Sequence, residues 1–185
     1  MTATDSPSTR GATLWFTGLP SAGKTTVARA LADRLRADGR RVELLDGDEV
    51  RPHLSQGLGY SKEDRDINVT RIGYVARLLA RNGVLALVPV VAPYRATRDT
   101  VRAEHDANGA AYLEIFVSTP LDVCADRDVK GLYAKAARGE MSGMTGVDDP
   151  YEPPLEPDVE LPTQELPLAE SVDRLYDALR ERGLL

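Results

Sequence analysis

The chain has 185 residues, which is enough for one domain with a buried core and too few for two ordinary domains. Its content of 42% hydrophobic and 28% charged residues is typical of a globular protein and excludes a disordered chain. The formal net charge of −6 argues against nucleic acid as a partner, because sequence-independent binding needs a basic surface, but a local arginine cluster could still bind a small anion.

The first residues of the chain and its cysteine content indicate the cellular compartment in which we expect the protein. Residues 1–10 are polar, unlike a secretory signal, and we expect a flexible tail there, followed by a single domain over residues 11–185. No apolar stretch approaches the about 20 residues that span a bilayer, so no membrane partner is expected. Cys124, the single cysteine, excludes an internal disulfide and a zinc site; its apolar neighbours predict a small buried residue on a helix. We therefore expect a reducing, cytoplasmic compartment.

Short apolar runs alternate along the chain with longer amphipathic segments. Strands are predicted at residues 14–17, 42–45, 84–91 and 112–117, with a weaker candidate at 159–161. Helices are predicted at 25–38, 64–82 and 168–183, where apolar residues recur at helical spacing. The strands are apolar throughout, as in strands covered on both faces. The pattern predicts an α/β fold, a mostly parallel sheet with helices on both faces, in which ligands bind at the carboxyl ends of the strands.

The segment after the first predicted strand fits the phosphate-binding loop G-x-x-x-x-G-K-[ST]. Its glycines let backbone N–H groups turn toward phosphate oxygens, and the N-terminus of the following helix favours anions. Lys24 is expected to reach the β- and γ-phosphates, and the Thr25 hydroxyl to bind Mg²⁺. The alternative is a chance glycine-rich turn. We predict a nucleotide phosphate site that comprises Gly18, Leu19, Pro20, Ser21, Ala22, Gly23, Lys24, Thr25 and Thr26.

Two carboxylates follow the second predicted strand, Asp46 and Asp48, with Arg51 close behind. A small-molecule kinase must orient or deprotonate an acceptor hydroxyl, hold Mg²⁺ and neutralise charge on the transferred phosphoryl group. Asp48 is the candidate base, and Asp46 is expected to hold a metal-bound water or to pair with Lys24. The alternative is a pair of aspartates that caps a helix. The Asn-Lys-x-Asp motif of guanine-nucleotide switches does not occur.

Residues 129–167 are rich in Gly, Pro and acidic residues, with only a short helical pattern at 132–138. Loops of this length in a compact domain are usually functional or disordered. The presence of Lys130, Tyr133, Arg138 and Tyr151 favours a lid, over about residues 129–150, that closes on a ligand. A plain surface excursion is the alternative.

Seven short motifs are distributed along the chain from residue 14 to residue 148. They are Leu-Trp-Phe-Thr-Gly-Leu at 14–19, Leu-Asp-Gly-Asp at 45–48, Leu-Gly-Tyr-Ser at 58–61, Ala-Pro-Tyr-Arg at 92–95, Phe-Val-Ser-Thr-Pro-Leu at 116–121, Lys-Gly-Leu-Tyr at 130–133 and Thr-Gly-Val-Asp at 145–148. Together they resemble the adenosine 5′-phosphosulfate kinases (adenylylsulfate kinases), over nearly the whole chain. The resemblance implies a three-layer P-loop kinase fold with a lid, which phosphorylates the ribose 3′-hydroxyl of adenylyl sulfate in sulfate activation. It also implies ATP as co-substrate, Mg²⁺ as cofactor and a homodimer.

The same resemblance implies the roles of individual residues. Asp48, Lys24 and Lys130 would be catalytic, with Asp48 activating the 3′-hydroxyl. Thr25 would bind Mg²⁺, with Asp46 contributing through a water molecule. Tyr60 would stack on the acceptor adenine, although the same charged segment by itself is typical of a solvated helix. The implied acceptor site comprises Asp46, Asp48, Arg51, Tyr60, Arg65, Asn68, Val91, Ala92, Lys130, Gly131, Leu132, Met144 and Thr145.

Four positions depart from the family pattern. Ala92 stands where Ser is usual, which excludes a phosphoserine intermediate there and favours direct in-line transfer. Met144 replaces an aromatic residue, so Tyr60 would face a thioether. Thr70 and Tyr74 replace an Arg and a Glu, and we expect three of the four substitutions in or near the acceptor pocket. Two alternatives follow: a kinase of the same fold that acts on another hydroxyl, and a nucleotide-binding regulatory protein without turnover.

Overall fold

The chain's structure, a computed structural model, describes residues 10–185, so the predicted tail lies outside the described residues except for Arg10. Within this range one sheet is formed by β1 (Ala12–Thr17), β2 (Val42–Leu44), β3 (Leu85–Pro89), β4 (Ala111–Phe116) and β5 (Val159–Glu160). The strand order is β2-β3-β1-β4-β5, and every neighbouring pair is parallel. The predicted α/β fold with a parallel sheet is confirmed.

The helices of the described residues are α1 (Lys24–Ala37), α2 (Gly47–Leu54), α3 (Lys62–Arg81), α4 (Arg95–Ala107), α5 (Leu121–Arg127), α6 (Leu132–Ala137) and α7 (Leu168–Glu181). The predicted long helices correspond to α1, α3 and α7, and the short helical pattern corresponds to α6. Their ends, and those of the strands, differ from the prediction by at most two residues. The sequence did not predict α2 or α4 as helices. Cys124 lies buried in α5, as its neighbours indicated.

The sheet is covered on both faces, which makes the three layers. On β1, Leu14 and Phe16 pack in one core with apolar residues of α1 and α7. Trp15, between them, points to the other face and packs with Ile72 of α3 and Val101 of α4. Successive side chains of a strand alternate between faces, so an apolar strand such as β1 needs a helical layer on each side.

Helix α4 escaped prediction because polar side chains occupy part of its buried face. Its buried residues are Arg98, Val101 and His105. Each polar group has a partner: Arg98 pairs with Glu114, and the His105 ring lies 2.8 Å from the hydroxyl oxygen of Thr13. The spacing of apolar residues does not reveal a helix in which two of the three buried residues are polar.

No helix among residues 10–185 combines the length and the apolar character needed to cross a membrane.

Candidate functional site

The predicted phosphate-binding loop lies between the end of β1 at Thr17 and the start of α1 at Lys24. Gly18 has φ 151° and Gly23 has φ 106°, values that side chains disfavour. A Cβ atom on Gly18 would also lie 2.5 Å from the carbonyl oxygen of Val117, so only glycine fits there. The loop therefore has the local geometry that its sequence predicted.

Lys24 and Thr25 begin α1 with their functional groups directed at the loop and at the end of β2. Lys24 is 8% exposed, and its Nζ donates to the carbonyl oxygens of Gly18 at 2.9 Å and Leu19 at 2.7 Å. Burial lowers the pKa of Lys24 to about 8. Two of the three ammonium protons of Lys24 are donated to loop carbonyls, and no direct hydrogen bond to Asp46 is formed in this structure. The Thr25 hydroxyl instead donates to Asp46 Oδ2 at 2.8 Å.

The two aspartates after β2 lie in different environments. Asp46 is buried and caps α2, where its carboxylate accepts from the backbone N–H of Asp48 at 3.0 Å. The capping alternative is therefore correct for Asp46, which also contacts Thr25. The Asp48 side chain is 72% exposed and pairs with the Nζ of Lys130. Asp48 thus has a largely exposed carboxylate beside a lysine from a distant segment.

The oxygen atoms beside the phosphate-binding loop suit Mg²⁺. Thr25 supplies a hydroxyl and Asp46 a carboxylate, both hard oxygen donors, at one point next to the loop. Among residues 10–185 no group of three or more His, Cys, Asp or Glu side chains is placed to hold a metal ion by itself. In kinase sites Mg²⁺ uses one or two protein ligands together with phosphate oxygens and waters, which fits this sparse set.

Arg51 of α2 and Arg65 of α3 both lie beside Tyr60, which stands in the segment between these two helices. The Arg51 guanidinium lies 4.1 Å and the Arg65 guanidinium 5.8 Å from the centroid of the Tyr60 ring, which is 57% exposed. Arg65 also donates to the Thr145 hydroxyl at 2.9 Å, and the amide oxygen of Asn68 accepts from Ser55. These contacts gather cationic and aromatic groups on the side of the site opposite the phosphate-binding loop.

Residues 129–150, called here the lid segment, pack over the phosphate-binding loop. The hydroxyl of Tyr133 donates to the carbonyl oxygen of Pro20 at 3.0 Å, and the N–H of Val129 donates to Ser21 Oγ at 3.3 Å. Farther along the segment, Met144 and Thr145 are buried. The segment thus contacts both sides of the site, through the loop, through Asp48 and through Arg65.

A cavity of about 410 Å³ lies between these groups. Most of the predicted site residues line it: Pro20, Ser21, Gly23, Lys24, Thr25, Thr26, Asp46, Asp48, Arg51, Tyr60, Arg65, Asn68, Val91, Ala92, Lys130, Leu132, Met144 and Thr145. Four predicted residues do not line it, namely Gly18, Leu19, Ala22 and Gly131. The first three shape the loop around it, and Gly131, with φ 67°, precedes the first turn of α6.

Sequence reasoning missed some residues that line the cavity: Gly47, Gly59, Asp64, Val69, Pro89, Val90, Pro93, Val129, Met141 and Gly143. Most of them adjoin a predicted residue in the chain, and proximity alone could have found them. Val69 follows Arg65 by four residues and so lies on the same face of α3. No motif in the sequence around Met141 indicated that this residue would line the cavity, because its position depends on how the lid segment folds back.

Of the four positions that depart from the family pattern, two line the cavity. Ala92 and Met144 do so. Thr70 and Tyr74 lie on the exposed face of α3, where the Thr70 hydroxyl donates to the backbone of Asp66. Thr70 directly follows Val69, which lines the cavity, whereas the buried face of α3 comprises Val69, Ile72, Gly73, Ala76 and Ala80.

Comparisons with known proteins agree with this geometry. A family model described as adenylylsulphate kinase matches residues 10–162. A protein of Chloroflexus aurantiacus named adenylyl-sulfate kinase is 59% identical over 180 residues, which cover 97% of this chain and 95% of that protein. The structure of the Mycobacterium tuberculosis APS kinase in complex with AMPPNP and APS aligns with a TM-score of 0.89 at 42% identity, covering 92% of this chain and 98% of that one. A hexameric APS kinase from Thiobacillus denitrificans aligns with a TM-score of 0.73 at 41% identity, over 95% of this chain and 30% of that one.

Proposed function

This chain belongs to the adenylylsulphate kinase family, and we infer that it transfers the γ-phosphoryl group of ATP to the ribose 3′-hydroxyl of adenylyl sulfate. The products are 3′-phosphoadenylyl sulfate and ADP. One observation carries the inference: the phosphate-binding loop and the Asp48 carboxylate face a single cavity, whose other side presents Arg51, Arg65 and Tyr60. The cavity therefore has a phosphate-donor side and an acceptor side that meet at a carboxylate.

On the donor side, the loop N–H groups and the Lys24 ammonium bind the ATP phosphates. Thr25, with Asp46 acting through a water molecule, would hold Mg²⁺, which supplies charge neutralisation for the transferred phosphoryl group. The N-terminus of α1 adds its positive dipole end at the same point. In this proposal Lys24 exchanges its present carbonyl partners for phosphate oxygens, which stabilise the ammonium charge that burial disfavours.

On the acceptor side, Arg51, Arg65 and Asn68 bind the phosphosulfate and ribose groups. Guanidinium groups suit this task because they form paired hydrogen bonds with phosphate or sulfate oxygens. The adenine stacks on Tyr60, with the buried Met144 thioether as the second contact, a sulfur–aromatic contact worth about 0.3–1.5 kcal/mol. Val91 and Ala92 form the wall between the two nucleotides.

The transfer itself needs one bond to form and one to break. Asp48 accepts the proton of the 3′-hydroxyl as its oxygen bonds to the γ-phosphorus, and the bond from that phosphorus to the bridging oxygen of ADP breaks. Lys130, paired with Asp48, lies where negative charge builds up on the phosphoryl oxygens. Ala92 carries no hydroxyl, so the phosphoryl group passes directly between the substrates.

Closure of the lid segment explains why ATP would not be wasted on water. With the lid segment packed on the loop through Tyr133 and Val129, water is excluded and the charge contacts around the phosphates strengthen. Residues 11–185 would then work as one P-loop kinase domain, with residues 129–150 as its moving part.

A panel of acceptors tests the assignment. The purified protein with Mg²⁺-ATP is offered adenylyl sulfate, AMP and guanosine 5′-phosphosulfate, and kcat/KM is measured for each. We expect the highest value for adenylyl sulfate, since AMP lacks the sulfate that the arginines bind and guanine presents other groups to Tyr60. A higher value for either competitor would contradict the acceptor assignment. Lys24→Ala, expected to be folded and inactive, controls for contaminating kinases.

Assembly and location rest on the family resemblance and on composition. We propose a homodimer, which sedimentation equilibrium of the purified chain tests directly; a monomer or a higher assembly would contradict it. We also propose a cytoplasmic location, which fractionation of the source cells tests.

A further inference from the structure

Two segments that wall the acceptor side of the cavity are fastened to each other behind it. The first, residues 91–98, contains Val91 and Ala92, which line the cavity. The second, residues 149–153, begins with the last two residues of the lid segment, shortly after Met144 and Thr145, which also line the cavity. We use the name clasp for the five residues that join them: Ala92, Tyr94, Arg98, Asp149 and Glu152. Of these five, Ala92 lines the cavity and the other four do not.

Arg98 is the centre of the clasp. It is 1% exposed, and its guanidinium donates at 2.7 Å to the carbonyl oxygen of Ala92, at 2.7 Å to that of Glu152 and at 2.7 Å to Glu114 Oε1. The Glu114 carboxylate, itself buried, balances the charge. The planar guanidinium can reach two carbonyls and a carboxylate at once because its donors diverge in a fixed plane. A single buried side chain thus bridges both segments.

Further hydrogen bonds hold the same two segments together. The Tyr94 hydroxyl donates to Asp149 Oδ1 at 2.9 Å, and the N–H of Glu152 donates to the carbonyl oxygen of Pro93 at 2.8 Å. The N–H of Arg95 donates to Glu152 Oε2 at 2.7 Å. Burial, together with the bond to Asp149, raises the pKa of Tyr94 to about 12, so its hydroxyl keeps its proton at neutral pH.

Each side of the clasp leads directly to a wall of the acceptor pocket. Ala92 has φ 43°, in the left-handed region that residues other than glycine rarely adopt, so its surroundings must hold it there. Arg98 binds its carbonyl, and Thr17 Oγ1 binds the preceding carbonyl, of Val91, at 2.7 Å. On the other side, the N–H of Asp149 donates to the carbonyl oxygen of Met144 at 3.1 Å.

We propose that the clasp fixes the separation between the Ala92 wall and the Met144–Thr145 wall, and that Arg98 and Tyr94 are therefore positioning residues that set the affinity for the acceptor nucleotide. The proposal rests on the proposed function, because it takes adenylyl sulfate as the acceptor. Arg98 and Tyr94 do not line the cavity, so they influence acceptor binding through the positions of Ala92 and of the turn at Met144.

Two variants and a matched control test the clasp. Arg98→Lys keeps a positive charge beside Glu114 but cannot reach both carbonyls, and Tyr94→Phe removes one hydroxyl and keeps the ring. Arg102→Lys is the control, because Arg102 belongs to the same helix and the same ion-pair network but contacts Asp158 at 2.8 Å, outside the clasp. Steady-state kinetics give kcat and both KM values, and thermal unfolding reports the midpoint temperature of each variant.

We expect the KM for adenylyl sulfate to rise about tenfold in Arg98→Lys and about threefold in Tyr94→Phe, as the loss of two or one net hydrogen bonds implies. The KM for ATP should stay within about twofold of the wild-type value, because neither substitution removes a hydrogen bond to the phosphate-binding loop. Arg102→Lys should leave both KM values unchanged. A purely structural role would instead change the two KM values together, in proportion to the loss of stability.

An unchanged acceptor KM in the folded variants, or an ATP KM that rises in parallel, would overturn the proposal. If Arg98→Lys does not fold, Tyr94→Phe decides by the same criteria. If the wild-type protein forms no product from adenylyl sulfate, the proposed function has failed, and calorimetric titration with adenylyl sulfate still tests the clasp. Weaker binding by Tyr94→Phe than by the wild type supports it, and equal binding overturns it.

Discussion

Burial separates the charged side chains of the site into two groups. Lys24 and Asp46 are buried and have protein partners, the loop carbonyls and the Thr25 hydroxyl. Asp48 and Lys130 are largely exposed and form an ion pair with each other. An exposed ion pair contributes little to stability, so either member can exchange its partner for a substrate group at small cost. In the proposed reaction, the two buried residues belong to the phosphate site, and the exposed ion pair of Asp48 and Lys130 takes part in the transfer.

Substitution of Asp48 should separate catalysis from nucleotide binding. We expect Asp48→Asn to lower kcat by about 10²–10⁴-fold, the usual contribution of a general base, because the amide cannot accept the hydroxyl proton. Binding of a non-hydrolysable ATP analogue, measured by calorimetry, should remain. Glu49→Gln is the control, since Glu49 is the next residue and pairs with Arg29 on the surface. A kcat close to that of the wild type in Asp48→Asn would remove the assignment of Asp48 as the base.

The lowered pKa of Lys24 predicts how nucleotide binding depends on pH. Burial lowers this pKa to about 8 in the free protein, whereas phosphate oxygens beside the ammonium favour its charged form and raise the pKa in the complex. Below pH 8 Lys24 is charged in both states; above pH 8 it must take up a proton on binding. The affinity for the ATP analogue should therefore fall above pH 8, by at most about tenfold per pH unit.

Calorimetry at pH 9, in two buffers of different ionisation enthalpy, measures this proton uptake. The wild type should take up more protons than Lys24→Met by a fraction approaching one. Equal uptake by the two proteins would mean that Lys24 does not change its protonation on binding.

Among the secondary-structure elements, the lid segment has direct contacts with the phosphate-binding loop. Helix α6 packs through Tyr133, whose ring lies in the core and whose hydroxyl binds the Pro20 carbonyl of the phosphate-binding loop. Asp128 caps the same helix by accepting from the N–H groups of Tyr133 and Ala134. These hydrogen bonds join the start of the lid segment to the loop, so we expect its position to depend on whether the loop is occupied.

Removal of the Tyr133 hydroxyl tests this attachment. Tyr133→Phe keeps the buried ring and loses one hydrogen bond, whose net value of about 0.5–1.5 kcal/mol corresponds to a rise of about twofold to tenfold in the KM for ATP. Tyr176→Phe provides the control, because the Tyr176 hydroxyl binds Asp38 on the outside of α1 and α7. An ATP KM that is the same in Tyr133→Phe and the wild type would show that the two elements are not coupled.

The sequence predicted those helices and strands whose hydrophobic pattern agrees with their burial in the structure. The strand, glycine loop and helix around Lys24 were predicted because periodicity, loop motif and glycine placement all agree there. Helix α2 was missed because it is short and contains Pro52. Helix α4 was missed because its buried face includes Arg98, a residue whose role depends on two segments that are distant in the chain.

In the molecule as a whole, the strand order explains why these distant segments meet. β1 lies between β3 and β4, and β2 lies beside β3, so the loops after β1, β2 and β3 leave one edge of the sheet side by side. Those loops carry the phosphate-binding residues, Asp46 with Asp48, and Val91 with Ala92. The convergence was predictable from the parallel pattern.

The contacts of the lid segment with the rest of the molecule were not predictable. Lys130 meets Asp48 across 82 residues of sequence, and Arg65 meets Thr145 across 80. No periodicity or local motif encodes contacts of this kind, because they depend on how a long irregular segment folds back over the sheet. The family resemblance placed Lys130 and Thr145 in the site, whereas residue-level reasoning alone indicated only that a lid was plausible.

The identity of the nucleotide product tests the central claim most directly. The wild-type protein is incubated with Mg²⁺-ATP and adenylyl sulfate, and the product is identified by mass spectrometry, with the phosphorylated hydroxyl assigned by ³¹P–¹H NMR. We expect ADP and 3′-phosphoadenylyl sulfate in equal amounts, with phosphate on the ribose 3′-oxygen alone. Consumption of ATP without that product, or phosphate on another oxygen, would contradict it.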